Sequence, residues 1–187
     1  MKKIAIAAML STAVISSAAF ADASGFFGAI DAQNWSTSGA PAGMKNPSTG
    51  YRIGGGYNFT QTWGVEVDYA KSGDATQPAN LGGGTINATS IQLAGVGTYP
   101  INNMFSVYGK LGVGSNKLGG TAINGCTVCT ATSVLYGVGG VYNINKQFGV
   151  RLEYLQLGNL TGSSATNNNP AAAISANTIS LGVVYNF

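Results

Sequence analysis

ISLGVVYNF, residues Ile179 to Phe187, alternates between apolar and small or polar side chains up to its last position. A strand points successive side chains to opposite faces. Ile179, Leu181, Val183, Tyr185 and Phe187 therefore form one continuous apolar face, and Ser180, Gly182, Val184 and Asn186 form a small, mostly polar one. Terminal residues of water-soluble domains are commonly frayed. Here the apolar face runs through Phe187 and needs something to touch.

The same alternation recurs along the chain. In TWGVEVDYA, Trp63, Val65, Val67 and Tyr69 oppose Gly64, Glu66 and Asp68; in FGVRLEY, Phe148, Val150, Leu152 and Tyr154 oppose Gly149, Arg151 and Glu153. In SVYGKLGV, Val107, Leu111 and Val113 oppose Tyr108 and Lys110, and Asp31 and Arg52 fall on the polar parity of their own strands. Eight strands are predicted, at about 24–35, 50–59, 62–71, 88–99, 104–115, 132–143, 147–157 and 177–187. Three connections are tight, around Phe59–Thr62, Pro100–Asn103 and Ile144–Lys146, and four are long, at about 36–49, 72–87, 116–131 and 158–176. Short turns alternating with long loops is the layout of an up-and-down transmembrane barrel, with an even strand count placing both termini at the short-turn end.

Periodicity alone fits a water-soluble barrel equally well, with the apolar face inward. Charge decides between the two. Only 8% of the 187 residues are charged, against roughly 25% in soluble domains, too few to clothe an outer surface in water. Every charge within a strand body (Asp31, Arg52, Glu66, Asp68, Lys110, Arg151 and Glu153) lies opposite the aromatic face, while Asp22, Lys45, Lys71, Asp74, Lys117 and Lys146 sit at strand ends, turns or loops. Lipid outside and a mixed-sign polar plug inside is the consistent reading, because an eight-stranded barrel is just wide enough for side chains to fill. Tyr57, Trp63, Tyr69, Tyr99, Tyr142, Tyr154 and Tyr185 fall where interfacial aromatic girdles are expected.

The N-terminus reads as a secretory signal. Lys2 and Lys3 precede the apolar run Ile4–Val14, and Ala19-Phe20-Ala21 offers small residues for cleavage between Ala21 and Asp22. The run is shorter than the ~20 residues of a helical span. Residues 1–21 are thus expected as signal peptide and 22–187 as one barrel domain. Without Lys2 and Lys3, seven basic residues face six acidic ones, a balance that gives nucleic acid no electrostatic footprint.

Taken together, GGGYNFTQTWGVEVDYA (Gly54–Ala70), TYPINNMFSVYGKLGVG (Thr98–Gly114), YGVGGVYNINKQFGVRLEY (Tyr136–Tyr154) and the terminal SLGVVYNF resemble the small bacterial outer-membrane β-barrel family, close to the transmembrane domain of outer-membrane protein A and the opacity-type porins. The resemblance implies outer-membrane localisation, contact with lipid and lipopolysaccharide, and a monomeric barrel. It implies that Ile179, Leu181, Val183, Tyr185 and Phe187 form the signal read by the outer-membrane assembly machinery. It also implies an ion pair between Glu66 and Arg151 that blocks or gates the lumen. Val96 and Val141 stand where that family has a basic and an acidic alternative partner, which favours a static plug over a partner-switching gate. The chain ends with the barrel, so peptidoglycan anchoring does not carry over.

Cys126 and Cys129 lie in the third long loop. Their CxxC spacing lacks the strand-to-helix context of a redox motif and the further ligands of a metal site; in an exported chain a local disulfide is expected. Neither the Gly54–Gly56 run nor the one at 82–84 precedes a helix, so they cradle no phosphate and instead relieve crowding. The chain has no histidine, the general base on which barrel hydrolases and transferases rely, so neither an enzyme nor a cofactor is expected. A structural or surface-interaction role, a narrow low-conductance channel and an adhesin acting through the loops are the function classes that remain.

Overall fold

The computed structural model describes residues 24–38, 49–77, 79, 83–121, 129–159 and 175–187. Among them run β1 (Gly25–Ser38), β2 (Gly50–Asn58), β3 (Trp63–Lys71), the two-residue β4 (Ala75–Thr76), β5 (Thr85–Pro100), β6 (Phe105–Gly119), β7 (Cys129–Asn143), β8 (Phe148–Asn159) and β9 (Ser175–Asn186). All the pairings are antiparallel, in the order β3-β2-β1-β9-β8-β7-β6-β5, and a β3–β5 ladder closes the ring. The eight long strands form a closed barrel; β4 only extends β5 through Ala75↔Ile86 and Thr76↔Thr85.

Burial runs opposite to that of a soluble domain. Leu111 is 65% exposed and Leu181 58%, whereas Arg52 is 0% exposed and Glu153 1%. Phe26, Ile30, Val67, Leu93, Val113, Val134, Val138 and Leu152 all point outward. A closed barrel satisfies its backbone groups internally, which is the condition for strands to cross lipid.

The tight connections share one construction. Phe59 and Thr60 donate their N–H groups to the Trp63 carbonyl, Ile101 and Asn102 to that of Phe105, and Ile144 and Asn145 to that of Phe148. The second residue of each turn also caps it from the inside. Thr60 Oγ1 accepts from Thr62 N and Trp63 N, Asn102 Oδ1 from Met104 N and Phe105 N, and Asn145 Oδ1 from Gln147 N and Phe148 N. Short polar side chains that fold back on the following amides favour such turns.

At the loop end the strands outrun the sequence expectation. β1 continues to Ser38, β5 starts at Thr85, β6 continues to Gly119 and β7 starts at Cys129. Beyond the lipid belt both strand faces can be polar, as in Ser115-Asn116-Lys117, so alternation fades while pairing persists. One irregularity, a bulge between Gln156 and Gly158 on β8, uses the left-handed conformation of Gly158 (φ 66°), which a Cβ would strain.

Candidate functional site: the filled lumen

The seven strand-body charges share a single buried cluster. Asp31 stands on β1, Arg52 on β2, Glu66 and Asp68 on β3, Lys110 on β6, and Arg151 and Glu153 on β8; none is more than 4% exposed. Alternation forces this placement, since each of these positions points into the barrel in its strand.

Two arginines hold the acidic residues from opposite sides. Arg151 donates from Nε to Asp31 Oδ1 at 2.6 Å, from Nη2 to Asp31 Oδ2 at 2.5 Å and from Nη1 to Glu66 Oε1 at 2.7 Å. Arg52 donates from Nε to Asp31 Oδ2 at 2.9 Å, from Nη1 to Glu153 Oε1 and from Nη2 to Ser180 Oγ at 3.4 Å. Between them Lys110 Nζ lies 2.9 Å from Glu66 Oε2, 3.2 Å from Asp68 Oδ2 and 3.1 Å from Glu153 Oε2. Tyr108 adds a hydroxyl donor to Glu153 Oε2 at 2.7 Å. Four carboxylates thus meet three cations. Asp68 is the least served: its Oδ1 has no hydrogen bond, and the nearest charged nitrogen recorded for it is Arg52 Nε at 3.9 Å.

Such a cluster is stable only as a set. Each charge has lost its water, and neighbouring charges replace it. The barrel wall makes room by omitting side chains. A Cβ on Gly54 would meet the Asp68 carboxylate, one on Gly182 that of Asp31, and one on Gly139 the Tyr108 ring. Gly54 is the first residue of the Gly54–Gly56 run, and what crowds it is a lumenal carboxylate.

Glu66 and Arg151 each have a second partner, but not from the two valines. Val96 lies in register with Lys110 and Val141 with Arg151; the second contacts come from Lys110 to Glu66 and from Asp31 to Arg151. The two residues are welded into a larger network.

Toward the loop end the lumen changes character. Ser90 Oγ donates to Asn116 Oδ1 at 2.7 Å, and Gln92 Nε2 donates to Ser90 Oγ at 3.2 Å. With these stands an apolar cluster that includes Trp35, Ala70, Ala88, Leu135, Leu155 and Leu157. Leu135 and Leu155 are 0% exposed and Trp35 2%. Sequence reasoning missed this second layer. Its signal was present in RLEYLQL, where Leu155 and Leu157 continue the inward parity of Arg151 and Glu153.

At the turn end a cavity of about 850 Å³ is lined by Thr98, Ser106, Asn143, Asn145 and Asn186 among others. Phe187 closes the ring there: its N–H donates to the Phe26 carbonyl at 3.0 Å. A Cβ on Gly28 would stand 3.8 Å from the Phe187 ring, which packs edge-on with Tyr185. Ala21, Asp22 and Cys126 lie outside the described residues, as does the side chain of Cys129, so the signal-peptide and disulfide expectations fall there too.

An antiparallel eight-stranded barrel with an apolar exterior and a charged interior is the architecture of small outer-membrane barrels. Residues 5–187 match the family model described as outer membrane protein beta-barrel domain, and the chain belongs to that family. It is a protein of the bacterial outer membrane.

Solved structures share the fold at low identity. The attachment invasion locus protein Ail of Yersinia pestis, crystallised in complex with the heparin analogue sucrose octasulfate, is 22% identical, with 88% of this chain and 97% of that chain covered and a TM-score of 0.56. Neisserial surface protein A is 18% identical over 87% of this chain and 97% of that one, with a TM-score of 0.61. The N-terminal β-barrel domain of Pseudomonas aeruginosa OprF is 15% identical over 86% and 97%, with a TM-score of 0.55. No curated protein matches the chain in sequence.

Proposed function

We propose that this protein is a structural and surface-interaction component of the outer membrane, a monomeric barrel whose lumen is plugged and whose outward connections carry its contacts. The observation that carries the reading is the cluster of seven buried charges, which ties β1, β2, β3, β6 and β8 together through the barrel interior. Side chains locked by two or three charged partners leave no continuous polar path between them. The attachment role named for Ail supports a surface function by likeness of fold. Export through cleavage between Ala21 and Asp22, and assembly through the strand ending at Phe187, belong to the same reading.

A narrow channel is the competing reading, favoured by the turn-side cavity of about 850 Å³. No catalytic role is proposed, as the chain has no histidine and its lumenal carboxylates are held by cations. Planar-bilayer recording of the refolded protein separates the readings. The plugged barrel gives no steady current, whereas sustained single-channel steps from the unaltered protein would establish the channel.

A further inference from the structure

The lumenal cluster is one positive charge short. Asp31, Glu66, Asp68 and Glu153 stand against Arg52, Lys110 and Arg151, and all of them are buried. The deficit is sharpest at Asp68. Its Oδ2 faces Lys110 Nζ at 3.2 Å, whereas its Oδ1 has no hydrogen bond and lies 3.9 Å from Arg52 Nε. A buried carboxylate oxygen in that state costs free energy unless something positive or donating meets it. Gly54 leaves the space beside this oxygen open, since a Cβ there would collide with it.

Beside Asp68 across the β3–β5 ladder stands Gln92, on the inward parity and 2% exposed. A relay running toward β8 sets the direction of its amide. The Leu157 carbonyl can only accept, so Asn116 presents Nδ2 to it, at 3.3 Å. Asn116 then offers Oδ1 to Ser90, whose hydroxyl donates at 2.7 Å, and the Ser90 oxygen accepts from Gln92 Nε2 at 3.2 Å. Turning the Gln92 amide over would set Oε1 against the Ser90 oxygen, whose one proton is already given to Asn116. Gln92 Oε1 is therefore the free end of the relay, an acceptor that is buried and without a partner. Two neighbouring inward side chains thus bury oxygens that no N–H or O–H among the described residues meets.

We infer that Asp68 and Gln92 bind one monovalent alkali cation inside the lumen, through Asp68 Oδ1 and Gln92 Oε1. Carboxylate and amide oxygens are the ligands that hard cations take. A water, or the unpartnered amide of Gln33, can supply a hydrogen bond but no charge; a cation answers the unmet oxygens and the charge deficit together. A single positive charge brings the cluster to neutrality, and a divalent ion would overshoot it. Among the described residues no three Asp, Glu, His or Cys side chains are grouped to hold a metal ion, which also fits a weakly held monovalent ion. The site is read through stability, so it is decided separately from whether the lumen conducts.

The test is urea unfolding of the full-length mature barrel in phosphatidylcholine bilayers, in sodium chloride and in N-methylglucammonium chloride. Equal ionic strength in the two salts removes general screening from the comparison. A cation that binds only the folded barrel multiplies the folded-to-unfolded ratio by 1 + [ion]/Kd. Above its Kd, each tenfold rise in sodium should therefore raise that ratio about tenfold, while the bulky organic cation gives no rise. Asp68→Asn leaves equal numbers of each sign and should abolish the sodium response. Gln92→Leu removes the amide oxygen but keeps the bulk, and should shift the response to higher concentration. Asp74→Asn, on the loop side where Oδ1 accepts from Asn87, should respond as the unaltered protein does. Heat-modifiable migration shows which variants fold; if Asp68→Asn does not, Gln92→Leu carries the test. Equal stability in the two salts, or a sodium response unchanged in the folded variants of Asp68 and Gln92, overturns the site. Stabilisation by acid in place of sodium assigns the missing charge to a proton and overturns it as well.

Discussion

Arg151 Nη1 lies 2.7 Å from Glu66 Oε1 across the lumen, joining β8 to β3, and neither residue depends on the other alone. Arg151 also grips both oxygens of Asp31, and Glu66 also accepts Lys110. The pair is therefore a node of a network in which three cations serve four carboxylates.

The imbalance sets an order of mutational cost. Arg151→Ala leaves four carboxylates to two cations and strips Asp31 of two of its hydrogen bonds. A loss of about 3–5 kcal/mol is expected, the range for breaking a buried pair. Glu66→Ala leaves three of each sign and should cost clearly less. Because the two residues touch, the double variant should cost less than the sum of the singles. Urea unfolding of the refolded barrel in lipid measures all three; strict additivity, or a costlier Glu66→Ala, would contradict the network.

The glycines under the cluster give a second expectation. Gly182→Ala forces a methyl into the Asp31 carboxylate and the Ile30 carbonyl, and Gly54→Ala forces one into the Asp68 carboxylate and the Val67 carbonyl. Overpacking of this kind costs about 1–3 kcal/mol. Gly109→Ala places its methyl on the outward face, with only the Gly137 carbonyl at 3.9 Å, and should be nearly neutral. Chemical denaturation of the three variants side by side tests the contrast.

Phe187 has a mechanical role, from which the proposed recognition by the assembly machinery can be separated. Its amide closes the β1–β9 seam and its ring packs with Tyr185, near Gly28. Phe187→Ala keeps the amide bond and loses mainly ring contacts, so refolded stability should fall by only about 1 kcal/mol, in the range of an aromatic pair. Insertion in cells should fall far more if the assembly machinery reads the ring. Proportional losses in the two assays would reduce Phe187 to packing alone.

How much of this was legible depends on which physical signal a residue carries. The barrel is legible in period-two alternation and in short turns alternating with long loops, and the inward parity of Asp31, Arg52, Glu66, Asp68, Lys110, Arg151 and Glu153 in that alternation read together with the scarcity of charge. Who touches whom inside does not follow. Barrel shear and side-chain reach bring Lys110 to three carboxylates, and no local pattern records that. Trp35, Leu135, Leu155 and Leu157 were hidden for a different reason. Along β8 the inward parity passes from Arg151 and Glu153 to Leu155 and Leu157, and around Trp35 the outward neighbours Asn34 and Ser36 are polar, so the rule that the apolar side chains face lipid reverses toward the loops.

That second layer carries the last prediction. The lumen holds two buried layers of different chemistry, which on the proposed plugged reading act as two barriers: the charge network, and a loop-side layer in which Trp35, Leu135, Leu155 and Leu157 are at most 2% exposed. Loosening the network admits water among the charges but leaves the apolar layer, and hydrophobic constrictions block ions by staying dry. Arg151→Ala alone should therefore pass little current. Trp35→Ala alone should cost about 3–5 kcal/mol as a large-to-small change, with the charge network still in place. Only a variant combining Arg151→Ala with Trp35→Ala should conduct steadily, provided that heat-modifiable migration shows it folded. If that variant is too unstable to recover, Arg151→Gln with Trp35→Ser keeps more polar contacts and asks the same question. Steady current from Arg151→Ala alone would mean that the charge network is the sole seal and that the apolar layer only packs the barrel.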